Sequence, residues 1–145
     1  LPSLPLRYTT QDQTARALAA WCTSQAMFSQ VLHPALADAP GHAHWHSLCV
    51  TPYAPKGLAA GIFSVVMDET LSAQQVDAFC DALQLFKIGY SWGGPISLVM
   101  PYNMARSRST HTAHLKPGRV VRFCIGLENV QDLQADLAQA LQRSG

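Results

Sequence analysis

Charge is scarce in this sequence. Of its 145 residues, 13% are Asp, Glu, Lys or Arg, about half the share usual in globular domains. The net charge is +1, which leaves no basic footprint for nucleic acid or for an anionic membrane surface. Long hydrophobic runs are missing as well: stretches such as Leu58 to Met67 are too short to span a bilayer. No signal peptide is visible, and the expected compartment is the cytoplasm. Cysteine occurs four times, as Cys22, Cys49, Cys80 and Cys124. The absence of any C-x-x-C pair or zinc spacing argues for buried free thiols in a reducing compartment. Lysine is restricted to Lys56, Lys87 and Lys116, each in or beside a polar loop or strand end and none in a setting that would desolvate and activate an amine. P-loop, dinucleotide-fold and G-x-S-x-G patterns are all lacking.

What is present is apolar patterning. Nearly half of the residues, 48%, are apolar, enough for one domain with a real core and, given the low charge, for surface covered by other protein. Ala15, Leu18, Ala19, Cys22 and Ala26 recur at helical steps and predict a helix from about Leu6 to Gln25. Phe28 to Leu32 reads as a short strand ended by His33-Pro34. Residues 35 to 61 are rich in Pro and Gly, with room for a short helix near Ala43 to Leu48. Ile62 to Met67 reads as a strand. Ser72 and Gln75 have capping-box spacing ahead of a helix that buries Val76, Phe79, Cys80 and Leu83. Leu85 to Tyr90, Ile96 to Met100 and Arg119 to Ile125 read as strands, and Pro101 to Pro117 as irregular. Asn129 is the expected N-cap of a last helix that buries Val130, Leu133, Leu137 and Leu141. Helices and strands that do not alternate regularly point to an α+β fold, a mostly antiparallel sheet of four or five strands with helices packed on one face.

Three features have chemical potential. Arg122 interrupts the apolar strand Val120-Val121-Arg122-Phe123-Cys124-Ile125. Both faces of that strand read as apolar, so its guanidinium is expected to leave toward a cleft or a partner. A planar fork with parallel donors suits a carboxylate, although a structural ion pair or a wet head on a surface-lying stem fits the pattern too. In Tyr90-Ser91-Trp92-Gly93-Gly94 the paired glycines permit close approach or positive φ, and Ser91 and Trp92 offer donors. An ordinary turn with a core Trp is the alternative. His42, His44 and His46 alternate, and a helix would bring His42 and His46 to one face. With no acidic or cysteine ligand nearby they are read as solvent-exposed histidines and no native metal site is expected.

Residues 85–98, Leu85 through Tyr90-Ser91-Trp92-Gly93-Gly94 to Leu98, followed by Val121-Arg122-Phe123-Cys124-Ile125-Gly126-Leu127-Glu128-Asn129 and Asp132-Leu133, resemble the end of the Cys/Met-metabolism family of pyridoxal-phosphate enzymes. Leu4 to Arg7 and Val31 to Leu36 match earlier stretches, so the resemblance covers nearly the whole chain. Asn129 departs from the usual acidic residue, Pro95 sits in the turn, and the histidine-rich segment looks idiosyncratic. Trp92 makes the turn similar to that of the bacterial cystathionine β-lyases, since the γ-synthases and γ-lyases usually carry Leu there. The resemblance implies that Arg122 grips the α-carboxylate of an amino-acid substrate such as cystathionine. It implies that Ser91 and Trp92 help hold that carboxylate, with Tyr90 at the pocket edge. It further implies a single C-terminal domain, residues 1–145, and a separate N-terminal cofactor domain with the Schiff-base lysine. The activity would be carbon–sulfur β-elimination in methionine biosynthesis, in a tetrameric enzyme. Taken alone, the chain is expected to carry no catalytic residue, to bind no pyridoxal phosphate and to be inactive. A γ-synthase or γ-lyase domain, or a free-standing binding module, are the alternatives.

Overall fold

A computed structural model describes residues 2–104 and 113–144. The chain runs α1 (Leu4–Cys22), β1 (Phe28–Leu32), α2 (His42–Cys49), β2 (Ile62–Met67), α3 (Ala73–Ala82), β3 (Lys87–Ile88), β4 (Leu98–Tyr102), β5 (Val120–Cys124) and α4 (Val130–Ser144). The strands form one sheet in the order β1-β2-β5-β4-β3. All pairs are antiparallel except β3 with β4. The α+β class, the strand number and the predominance of antiparallel pairing agree with the sequence reading.

The core follows from period-two alternation in β5. Val121, Phe123 and Ile125 point to one face and pack with Leu18 of α1, Phe79 of α3 and Leu137 of α4. Phe63 stacks on Phe123 at 5.1 Å, and Phe79 and Phe86 meet the same ring edge-on. Val120, Arg122 and Cys124 therefore take the opposite face, away from α1, α3 and α4.

Several boundaries differ from expectation, each for a local reason. Helix α1 stops at Cys22, not Gln25, because the Thr23 and Ser24 hydroxyls donate to the carbonyls of Ala20 and Trp21 and satisfy the helix end there. Ala26, placed on the buried stripe by the spacing, is exposed. The strand expected over Leu85–Tyr90 contracts to Lys87–Ile88. Asp136 of α4 takes up the preceding backbone instead, accepting the Gln84 and Leu85 amides at 2.8 Å each. Strand β4 continues through Pro101 to Tyr102, beyond the expected Met100. Proline is tolerated there because β3 pairs only as far as Val99, leaving that side of β4 open where a missing N–H costs nothing. Residues 105–112 of the segment read as irregular lie outside the described residues.

The capping box at Ser72 and Gln75 is formed as expected, with both reciprocal bonds. Asn129 caps α4 through its Oδ1, which accepts the Gln131 amide at 2.8 Å. In α4 the buried positions are Leu133, Asp136, Leu137, Ala140 and Ser144. Val130 and Leu141 are only partly covered. Helix α2 buries no residue. It is held from α1, where Arg16 lies over the Trp45 ring and pairs with buried Asp12 at 2.8 Å. Asp12 also accepts the Ala59 amide.

Candidate functional site

Arg122 stands on the face of the sheet opposite α1, α3 and α4, between Ser64 of β2 and Met100 of β4. Its Nη2 donates to the backbone carbonyls of Tyr90 at 2.9 Å and Gly89 at 3.3 Å. Its Cζ lies 5.7 Å from the centre of the Tyr102 ring, within cation–π range. The buried Nε has no hydrogen-bond partner among the described residues. Arg16 and Arg119 each meet a carboxylate, whereas Arg122 meets none among the described residues. Of the alternatives left open by the sequence, the structural ion pair is thus not formed. A half-buried guanidinium that meets no carboxylate and keeps one N–H unpaired is suited to an incoming anion.

The turn before β4 is held at both ends. Arg122 grips the carbonyls of residues 89 and 90. From α1, Gln11 donates to Gly94 O at 2.7 Å and Arg7 to Gly93 O at 3.4 Å. Gly93 has φ +72°, a conformation that favours glycine. Between these clamps Ser91 and Trp92 are exposed and make no hydrogen bond among the described residues. Trp92, 65% exposed, is not a core side chain, which removes that alternative. Tyr90 is also exposed, and its ring meets Tyr102 edge-on at 6.5 Å.

Glu128 sets the distance between turn and sheet. Its carboxylate accepts the Ser97 amide at 2.7 Å and the Ser97 hydroxyl at 2.8 Å. The same Ser97 Oγ accepts the Gly126 amide. A Cβ on Gly126 would collide with Glu128 and with the backbone at Pro95 and Ile96, so only glycine permits this approach. Cys124 shares the face of Arg122, and burial raises its thiol pKa despite the Gly93 amide and the Arg122 charge.

The structure thus brings Arg122, Tyr90, Ser91 and Trp92 to one corner of the sheet. It adds Tyr102, Arg7 and Gln11, which the residue pattern did not single out. Tyr102 fell in the stretch read as irregular, and a polar residue on α1 gives no signal of a contact some 80 positions away. The histidines go elsewhere. His42 and His46 do share a helical face, 5.8 Å between ring centres, and His42 Nδ1 is bonded to the Pro34 carbonyl. No group of three His, Cys, Asp or Glu able to hold a metal occurs among the described residues. The cysteines are free, with Cys22, Cys80 and Cys124 buried and Cys49 partly so. Burial pushes Cys22 and Cys80 up to about 12. None of the three lysines fits a Schiff-base anchor: all are exposed, and Lys87 and Lys116 donate to backbone carbonyls. No described helix is long and apolar enough to cross a membrane.

Comparison with known proteins places this geometry in context. Residues 1–142 match the family model for Cys/Met metabolism PLP-dependent enzymes. The chain is 34% identical over 146 residues to the cystathionine beta-lyase of Salmonella typhimurium, covering 99% of this chain and 35% of that protein. It is 35% identical over 144 residues to an L-alanine/L-glutamate racemase of Wolbachia pipientis wMel, covering 99% of this chain and 34% of that protein. Among solved structures it resembles a cystathionine gamma synthase of Xanthomonas oryzae pv. oryzae in complex with cystathionine, with TM-score 0.73 and 30% identity over 98% of this chain and 35% of that one. The chain spans about a third of the length of the relatives it matches. The shared fold and a match over nearly every residue agree: the chain belongs to the Cys/Met metabolism family of PLP-dependent enzymes.

Proposed function

We propose that residues 1–145 are the C-terminal, substrate-carboxylate-binding domain of a PLP-dependent cystathionine β-lyase. The observation that carries this reading is Arg122. It is half-buried, without a carboxylate partner and with an unsatisfied Nε, beside the free Ser91 hydroxyl and the Trp92 indole. In this reading the Arg122 fork takes the α-carboxylate, Ser91 and Trp92 add donors to it, and Tyr90 borders the pocket. That fixes the orientation of the amino acid and leaves bond breaking to groups supplied elsewhere. Pyridoxal phosphate finds no anchoring lysine in this chain, so an upstream domain of the full-length enzyme would hold it. Trp92, Ile96 and Leu127 are exposed around the turn, an apolar rim that such a domain, or a neighbouring subunit of a tetramer, would cover.

The Trp between Ser91 and Gly93 favours the β-lyase reading. The similarity to a γ-synthase with bound cystathionine supports a second reading, in which the same domain serves γ-chemistry. Assays of the full-length enzyme separate them, with cystathionine for the lyase reactions and with an activated homoserine ester plus cysteine for the synthase reaction, whose product would be cystathionine. The β-lyase reading expects homocysteine, pyruvate and ammonia. Cysteine and 2-oxobutyrate would assign the γ-lyase reaction, and alanine racemisation without cystathionine cleavage would overturn both.

A further inference from the structure

Tyr102 ends β4 opposite Val120, two residues beyond Met100, the register partner of Arg122. Residues two apart on a strand share a face, so the phenol ring is a diagonal neighbour of the guanidinium. The contacts close a circuit. The Tyr102 ring lies 5.7 Å from Arg122 Cζ. The Tyr90 ring abuts Tyr102 at 6.5 Å and 66°. The Tyr90 carbonyl accepts from Arg122 Nη2 at 2.9 Å. An arginine side chain has many rotamers, and ordering it before an anion arrives lowers the cost of binding. A ring against the guanidinium leaves its in-plane donors available, because cation–π attraction uses the ring's negative face and consumes no N–H.

We propose that Tyr102 is the positioning residue for Arg122, acting through its ring face and not its hydroxyl. It presents the fork to the substrate carboxylate and is itself braced by Tyr90. The inference rests on the reading of Arg122 as the carboxylate ligand.

The test is steady-state kinetics of the full-length enzyme on cystathionine with Tyr102→Phe, Tyr102→Leu, Arg122→Ala and the Arg122→Ala/Tyr102→Leu double variant. Circular dichroism and thermal unfolding serve as fold controls. Tyr102→Leu is expected to raise KM about fivefold, the scale of one cation–π contact, with kcat within about twofold. Tyr102→Phe, which keeps the ring and folds with the least disturbance, is expected to match the parent enzyme. In the Arg122→Ala background, Tyr102→Leu should have no further effect, since a positioning residue has nothing left to position. Parent-like kinetics for Tyr102→Leu would overturn the proposal, as would Tyr102→Phe behaving like Tyr102→Leu or a full fivefold loss persisting without Arg122. If Arg122→Ala is crippled while Tyr102→Leu is normal, the positioning role alone falls. If Arg122→Ala is itself normal, the carboxylate reading falls and Tyr102 with it.

Discussion

On one face of β5, Val121, Phe123 and Ile125 are sealed beneath α1, α3 and α4. On the other, Arg122 stands between Val120 and Cys124 with an Nε that the described residues leave unsatisfied. The two faces belong to the same six-residue stretch, residues 120–125, and share one backbone. They differ in what the next layer supplies: three helices lie over Phe123 and its neighbours, whereas the Tyr90 and Gly89 carbonyls of a clamped turn meet Arg122. The first face holds the strand in place through burial, and a rigid strand is what gives the second face a fixed position from which to present a side chain.

Substitutions on the two faces should therefore separate stability from binding. Phe123→Ala removes the ring that Phe63, Phe79 and Phe86 surround, and it is expected to cost about 4 kcal/mol. Denaturant titration of the chain would read this as a lowered midpoint with little change in slope. A loss under 1 kcal/mol would mean that the helix-backed face does not anchor the strand.

Acid should weaken the molecule next. His33 is 1% exposed beside Asp12 and Arg16, and burial, aided by the Arg16 charge, lowers its pKa to about 4 from an ordinary 6.5. Unfolding lets it take up a proton at the ordinary value, so its contribution is constant above about pH 6.5 and shrinks as pH falls toward 4. The loss amounts to about 3 kcal/mol. Urea midpoints for the parent and for His33→Gln across that window should converge as the pH falls. Parallel curves would remove His33 as the cause.

A smaller effect is expected at the joint between the faces. Ser97→Ala deletes the hydroxyl that joins Glu128 to the Gly126 amide and should cost about 2 kcal/mol. The same change should raise KM in the full-length enzyme, because the turn carrying Ser91 and Trp92 loses its spacing. Reduced stability with unchanged KM would detach the joint from the site.

The sequence revealed the helix-backed face more readily than the other. Its signals are local: the apolar run of β5, the Ser72–Gln75 capping box, and the 3.6-residue stripe in α3. Arg122 stood out because a charge inside an apolar strand is costly unless it meets an acceptor. Its neighbours did not stand out, because they arrive from far along the chain. Gln11 and Arg7 reach the Gly93–Gly94 carbonyls from α1, and nothing in an exposed-looking helix turn announces such a bond. Tyr102 was hidden by Pro101, which reads as a strand terminator unless one knows that β3 ends two residues earlier. Asp136 was hidden by its type: an acid on the last helix reads as solvated, yet it is buried and serves the backbone amides of residues 84 to 86. The specificity of the Ser91-Trp92-Gly93-Gly94 turn came from family resemblance, since two glycines after a Trp describe many turns.

The most direct measurement pairs kinetics with unfolding for Arg122→Ala and Arg122→Lys in the full-length enzyme. The account predicts that Arg122→Ala lowers kcat/KM by roughly 2–4 kcal/mol in transition-state stabilisation. Arg122→Lys should recover only part of this, because an ammonium keeps the charge but not the planar fork, and both variants should unfold within a few degrees of the parent. Parent-like kcat/KM in Arg122→Ala, or an activity loss matched by collapse of the fold, would contradict it.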